Sequence, residues 1–513
     1  MRNSQRRAIA VLATAAAAGL LAGCTLISPT RTQTESEVPI PAGLESYYQQ
    51  ELEWSPCEPE GRECSTVTAP IDYENPGDGD IELAVVRVAT DSDDRVGSLL
   101  MNPGGPGGSG VELVQQAAEY VTSDALRESF DIVGWDPRGV GLSTPVQCYD
   151  DADMDAFLYS VPANPTGSDA WLAEQVDREK AFADACLENT GPLLGFIDVE
   201  SNARDMDLLR AVLGDKKLTY LGFSYGTSFG AHYAELFPEN AGRLVLDGAI
   251  DPSLESPETF TVQMAGFENA YRAFVEDCLL TSACPFTGTV DTALAQSKTL
   301  FDGVEARELR SDDGRQLTAS TLGTALSYPL YDEGSWPALS QMISELEEGD
   351  ATLALQLADG YNSRNDDGTY ADQATAVYTA ATCLDGQFTG GLDGTRATLD
   401  AIDAAAPTIG AFVSYADWAH ISIACQNWPF PSSIEAHAIT ADGAAPILVL
   451  GTTNDPATPY TWAEAMASQL DSGVLITREG EGHTAYAQGN ACIDETVDDY
   501  LVDGLVPVTD PLC

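Results

Sequence analysis

The chain has 513 residues, 44% of them hydrophobic and 8% aromatic, enough to bury a large core and to exclude both a disordered chain and a disulfide-only miniprotein. Asp and Glu number 80 against 24 Lys and Arg, a formal net charge of −56. That balance excludes a nucleic-acid footprint, which needs clustered positive charge.

In chain order, Arg2, Arg6 and Arg7 precede an apolar run from Ala8 to Ala22. A run of about 15 residues falls short of the ~20 that a membrane helix needs, so residues 1–23 read as a signal peptide. Leu21, Ala22, Gly23 and Cys24 resemble a bacterial lipobox, which implies cleavage before Cys24 and a lipid on it. Residues 24–50, rich in Ser, Thr, Pro and Glu, read as a lipid-anchored tether. The expected location is the exterior, at the membrane surface or secreted.

Strands and helices then alternate as in an α/β sheet. Strands are expected at Ile81–Ala89, Ser98–Met101, Asp131–Trp135, Leu218–Phe223 and Arg243–Asp247, and again at Pro446–Gly451 and Val474–Thr477. Helices are expected at Asn202–Leu213, with Asn202 as cap, at Tyr225–Leu236 and at Trp462–Leu470. Between Asp251 and Asp442 the pattern is helical, with segments at Val262–Cys278, Thr292–Glu305, Trp336–Glu348 and Ala351–Tyr361. Those roughly 190 residues exceed any connection within a compact sheet. The expected fold class is therefore α/β: a mostly parallel sheet flanked by helices, with a large helical cap inserted between two strands. The core takes residues 51–250 and 442–513, and the cap takes 251–441.

Setting Cys24 aside, ten cysteines remain. Their spacing pairs neighbours: Cys57 with Cys64, Cys148 with Cys186, Cys278 with Cys284, Cys383 with Cys425 and Cys492 with Cys513. No C-x-x-C occurs and His is scarce, which argues against a zinc site; no metal or other cofactor is expected.

The chemistry sits at strand ends. Gly222-Phe-Ser224-Tyr-Gly226 matches G-x-S-x-G between an apolar strand and a helix, a tight turn that projects the Ser224 hydroxyl at a helix N-terminus. A hydroxyl needs a base. Of His232, His420, His437 and His483, only His483 follows a strand at the same sheet edge. Asp455, directly after the preceding strand, is the acid that would fix the imidazole, with Asp247 and Asp251 as competitors and Thr458 as a neighbour of Asp455. The glycine-rich stretch 102–110 (NPGGPGGSG) follows the strand where an oxyanion donor is needed, so Gly105 and Tyr225 are the expected N–H donors. No Lys-Ser/Thr follows these glycines, so a phosphate loop is excluded.

Together with GWDPRGVGLS at 134–143, DPATP at 455–459 and GEGH at 480–483, these motifs resemble those of the exported tripeptidyl aminopeptidases of actinobacteria, relatives of prolyl aminopeptidases in the α/β-hydrolase superfamily. The resemblance runs from about Trp54 to Cys513. It implies a serine exopeptidase that releases short peptides, tripeptides foremost, from free N-termini, with Asp136 and Arg138 bracing loops. It also implies a cap carboxylate for the substrate's ammonium, for which Asp332 and Glu333 are the candidates. Expected partners are peptides with a free N-terminus and, through the lipid anchor only, a membrane. A lipid-anchored carboxylesterase with the same triad and a catalytically silent binding lipoprotein are the rival readings.

Overall fold

The computed structural model describes residues 40–508 and 510–513. The Arg-led start, the apolar run and Cys24 lie outside the described residues. Nine strands form one mixed sheet: β1 (Ser55–Cys57), β2 (Arg62–Pro70), β3 (Asp80–Val88), β4 (Gly97–Asn102), β5 (Phe130–Trp135), β6 (Leu218–Phe223), β7 (Ala241–Asp247), β8 (Ile447–Asn454) and β9 (Gly473–Glu481). Their order across the sheet is β1-β2-β3-β5-β4-β6-β7-β8-β9. The pairs β1–β2, β2–β3 and β3–β5 are antiparallel, and every pair from β5 to β9 is parallel.

Burial on both faces explains the continuous apolar runs of the central strands. Leu100, Val133, Tyr220, Leu244, Leu246, Ile447 and Val449 join the core on one face. Their chain neighbours Leu99, Ile132, Leu221, Val245 and Leu448 join the core on the other. A shift of one residue in register would exchange the two sets, so the pairing is tightly specified.

After β7 the chain leaves the sheet and returns only at β8, which pairs with β7 in parallel. Helices fill the interval, beginning with Ser256–Cys278 and ending with Trp418–Gln426. They bury a separate apolar cluster around Phe260, Met264, Trp336, Leu339 and Trp418. Trp171 and Leu172 belong to that cluster too, because the helix Asp169–Thr190, which periodicity did not single out, packs against Trp418–Gln426.

Several boundaries differ from expectation for local reasons. The helix assigned to start at Asn202 starts at Val199, with Asp198 as cap: its carboxylate accepts from Ser201 N at 2.8 Å. Asn202 is buried inside the helix, where its amide donates to Asp198 O. The stretch expected as tether folds before residue 50. Leu44 and Tyr48 are buried, and the Tyr48 hydroxyl donates to Asp207 Oδ2 at 3.0 Å. β2 escaped notice because its Ser-Thr-Val-Thr centre carries no apolar run; partners on both sides hold it.

All five disulfides join the cysteines that spacing had paired. Among the described residues no helix is long and apolar enough to cross a membrane.

Candidate active site

Ser224 leaves β6 in a turn at φ 54°, a left-handed conformation that a non-glycine residue adopts only under constraint. The constraint is visible on both sides. Ser224 N donates to Asp247 O at 2.8 Å, and Ser224 O accepts from Thr227 N and, at 2.6 Å, from Thr227 Oγ1. A Cβ on Gly222 would lie 2.6 Å from Gly226 O, so the flanking position has no room for a side chain. The helix Gly226–Leu236 starts immediately afterwards and aims its N-terminus at the turn.

The glycine-rich loop lies against this turn. Gly104, at φ 91°, would bring a Cβ within 2.8 Å of Tyr225 N and 2.4 Å of Phe223 O, contacts that only glycine avoids. Its own N–H is taken up by Asn102 Oδ1 at 2.8 Å. The next residue, Gly105, lines the cavity above Ser224, and neither Gly105 N–H nor Tyr225 N–H reaches an acceptor among the described residues. The far end of the loop is pinned by Asp136, whose carboxylate accepts from Ser109 Oγ, Val111 N and Leu142 N. Behind it the fully buried Arg138 pairs with Asp205 through two contacts of 2.8 Å and ties down three backbone carbonyls. Both residues brace loops, as the resemblance implied.

Beyond β8, Asp455 is buried and accepts from Ala457 N, Thr458 N, Thr458 Oγ1 and Thr484 N as well as from His483. His483 Nδ1 lies 2.9 Å from both carboxylate oxygens. With Nδ1–H turned to Asp455, the lone pair is left on Nε2, which is buried and has no hydrogen-bond partner. Burial opposes the imidazolium, but the charge and hydrogen bond of Asp455, with the charge of Asp247, outweigh it and raise the His483 pKa above its ordinary value. Ser224 and His483 line one cavity; the Ser224 hydroxyl does not bond Nε2 in this state, and such contacts commonly close only around substrate.

The competing acids do other work. Asp247 accepts from Ala485 N and Tyr486 N and so fixes the loop that carries His483; burial pushes its carboxyl up to about 6. Asp251 accepts from Ser253 and Gln469. Neither hydrogen-bonds the imidazole, which Asp247 influences through its charge alone. Among the other histidines, His232 is buried with Nδ1 at Ser228 O, His420 pairs with Glu179 at 2.7 Å, and His437 pairs with Glu235. Among the described residues no group of three or more His, Cys, Asp or Glu is placed to hold a metal ion.

The cavity holds about 1910 Å³ and runs from Ser224 into the helical insertion. Asp332 and Glu333 do not line it. Both are exposed, because Asp332 caps a short 3₁₀ turn by accepting from Gly334 N and so faces solvent. Several carboxylates do line it, and two of them that sequence reasoning missed, Asp385 and Asp417, accept hydrogen bonds from tyrosines that line it too. Asp417 accepts from the Tyr378 hydroxyl at 2.7 Å and pairs with no Lys or Arg among the described residues; burial pushes its carboxyl up to about 6. Its charge also reaches Tyr331 and Tyr361, both lining the cavity. The Tyr331 ring packs edge-on against His483 at 5.4 Å. A half-buried carboxylate beside tyrosine rings has the chemistry to receive a cation.

A hydroxyl in a constrained turn, an imidazole held by a buried carboxylate and two unengaged N–H groups supply the parts for covalent acyl transfer. The family described as TAP-like protein matches residues 411–513, the stretch that contains Asp417, Asp455 and His483. The whole chain is 34% identical to the serine protease Hip1 of Mycobacterium tuberculosis over 538 aligned residues, with 100% of each chain covered. It is 36% identical to carboxylesterase B of the same species, covering 88% of this chain and 86% of that one. Identity to the tripeptidyl aminopeptidase of Streptomyces lividans is 31%, covering 90% of this chain and 86% of that one.

Proposed function

The chain belongs to the TAP-like family of α/β-hydrolase serine peptidases, and from that premise we propose that it is a serine exopeptidase that releases short peptides, tripeptides foremost, from free N-termini. Ser224 Oγ attacks the scissile carbonyl while His483 Nε2 takes its proton. The oxyanion is met by the N–H groups of Gly105 and Tyr225. As the C–N bond breaks, His483 returns the proton to the leaving amine, and water, deprotonated by the same nitrogen, then releases the acyl group from Ser224. Asp455 holds the imidazole in the required tautomer and stabilises its cationic form.

The observation that carries the exopeptidase reading is Asp417. An enzyme that acts on free N-termini must desolvate an ammonium, and a carboxylate among Tyr331, Tyr361 and Tyr378 in the reaction cavity supports that task. An esterase has no such requirement, although the 36% identity to a carboxylesterase keeps that reading as the alternative. A tripeptide anilide with a free N-terminus is expected to be cleaved at least 100-fold more efficiently than its N-acetylated form. Asp417→Asn should raise KM for the free peptide about 10- to 100-fold, the worth of a charge-assisted hydrogen bond, and leave nitrophenyl acetate turnover unchanged. Equal rates on the free and acetylated peptides would return the esterase reading to first place.

The same proposal takes residues 1–23 as a signal peptide and Cys24 as the lipidated residue, which holds the enzyme at the outer face of a membrane. Cys24→Ser should then transfer activity from the membrane fraction to the soluble fraction. Activity that stays with the membrane would remove the anchor.

A further inference from the structure

Tyr225 is engaged in two ways. Its backbone N–H reaches no acceptor among the described residues, while its side chain is buried, edge-on to Phe229 at 5.0 Å. The phenol hydroxyl donates to Asp385 Oδ2. Asp385 is the last residue of the helix Ala374–Asp385, part of the insertion, and two residues earlier Cys383 is bonded to Cys425. The other carboxylate oxygen, Oδ1, accepts from Val199 N at 2.8 Å, at the start of the helix Val199–Val212. One carboxylate thus joins the nucleophile turn, a helix of the sheet core and a helix of the insertion.

The turn needs such a support. The helix after Ser224 has Tyr225 at its N-cap, and no side chain caps it by hydrogen bond. Ser224 is at positive φ, and the oxyanion N–H belongs to the next residue, so its direction depends on what holds Tyr225. The charged groups that face Asp385 are Asp198 and Glu200, both repulsive, and among the described residues no Lys or Arg pairs with it. Burial, with that repulsion, pushes its carboxyl up to about 8. Both of its oxygens are nevertheless engaged, one by the Tyr225 hydroxyl and one by Val199 N.

We propose that Asp385 is a positioning residue for acyl transfer, acting through the Tyr225 hydroxyl to hold the Tyr225 N–H in line with the oxyanion. The proposal rests on Ser224 being the nucleophile and adds how the insertion sets the geometry of the oxyanion hole. Misplacing a reacting or stabilising group by about 1 Å costs on the order of 100-fold, and a partial loss of aim costs less.

Tyr225→Phe removes one hydroxyl and nothing else, so it is the decisive variant. It should lower kcat about 10- to 100-fold with KM changed less than threefold, on the free tripeptide anilide and on nitrophenyl acetate alike. Asp385→Ala should do the same, the double variant should be no worse than either single one, and Asp385→Asn, which keeps an acceptor oxygen, should recover most of the loss. Additive losses, or a wild-type kcat in Tyr225→Phe, would overturn the proposal. So would an Asp385→Ala loss confined to the free peptide, which would make Asp385 a ligand of the ammonium. Fluorophosphonate labelling separates this from the premise: an unlabelled wild-type chain defeats the serine-enzyme reading. A labelled wild type with an unaffected Tyr225→Phe variant defeats the positioning role alone.

Discussion

Replacing Ser224 by alanine is expected to lower kcat on the order of 10⁶-fold and to abolish fluorophosphonate labelling, while the melting temperature stays within a few degrees of the wild type. The magnitude follows from the unit nature of a nucleophile and its base: once the hydroxyl is gone, only binding and the oxyanion donors act on the bound substrate. The structure argues that the fold survives. Ser224 is half-buried, its turn is held through its backbone N–H and C=O by Asp247 and Thr227, and none of these bonds involves the Ser224 hydroxyl. Alanine does not relieve the positive φ, so little stability is gained either. Labelling that persists in the variant would show that another nucleophile is at work.

Asp455→Asn is expected to reduce kcat about 10⁴-fold, because an amide can donate to Nδ1 and favour the tautomer whose proton sits on Nε2. The pH dependence should move with it. In the wild type, His483 must be neutral to accept a proton and its pKa is raised, so kcat/KM should fall on the acid side with a midpoint above the ordinary 6.5. With the Asp455 charge removed, burial is opposed only by Asp247, and the midpoint of the residual activity should shift to lower pH. An unchanged midpoint would mean that the acid limb reports a group other than His483.

The three residues proposed as nucleophile, base and acid could be grouped from the chain because each stands after a strand and beside residues that shape its turn. Ser224 has Gly222 and Gly226, His483 follows Gly482, and Asp455 precedes Pro456. Order along the sequence then suffices to place them at one sheet edge. Asp417 and Asp385 carry no such mark. Asp417 stands between two helices, and its tyrosines come from the 3₁₀ turn Tyr328–Tyr331 and the helices Thr352–Tyr361 and Ala374–Asp385, so only folding assembles them. Asp332 and Glu333 stand between the aromatic residues Tyr331 and Trp336, yet proximity in sequence to an aromatic ring says nothing about which way a capping carboxylate turns. The helix Ala374–Asp385 was missed for a related reason. Its buried residues are mostly small, Ala376, Ala380 and Ala381 among them, and give little contrast for a 3.6-residue period.

The return of the chain to the sheet at β8 has a consequence for the protein's synthesis. Ser224 is made more than 200 residues before the strand that must lie against β7, and the proposed acid and base, Asp455 and His483, arrive only with the final segment. A growing or truncated chain that ends within the helical insertion therefore carries a hydroxyl that nothing deprotonates. Chemistry that needs all three residues becomes available only when the final segment has been made and β8 has paired with β7.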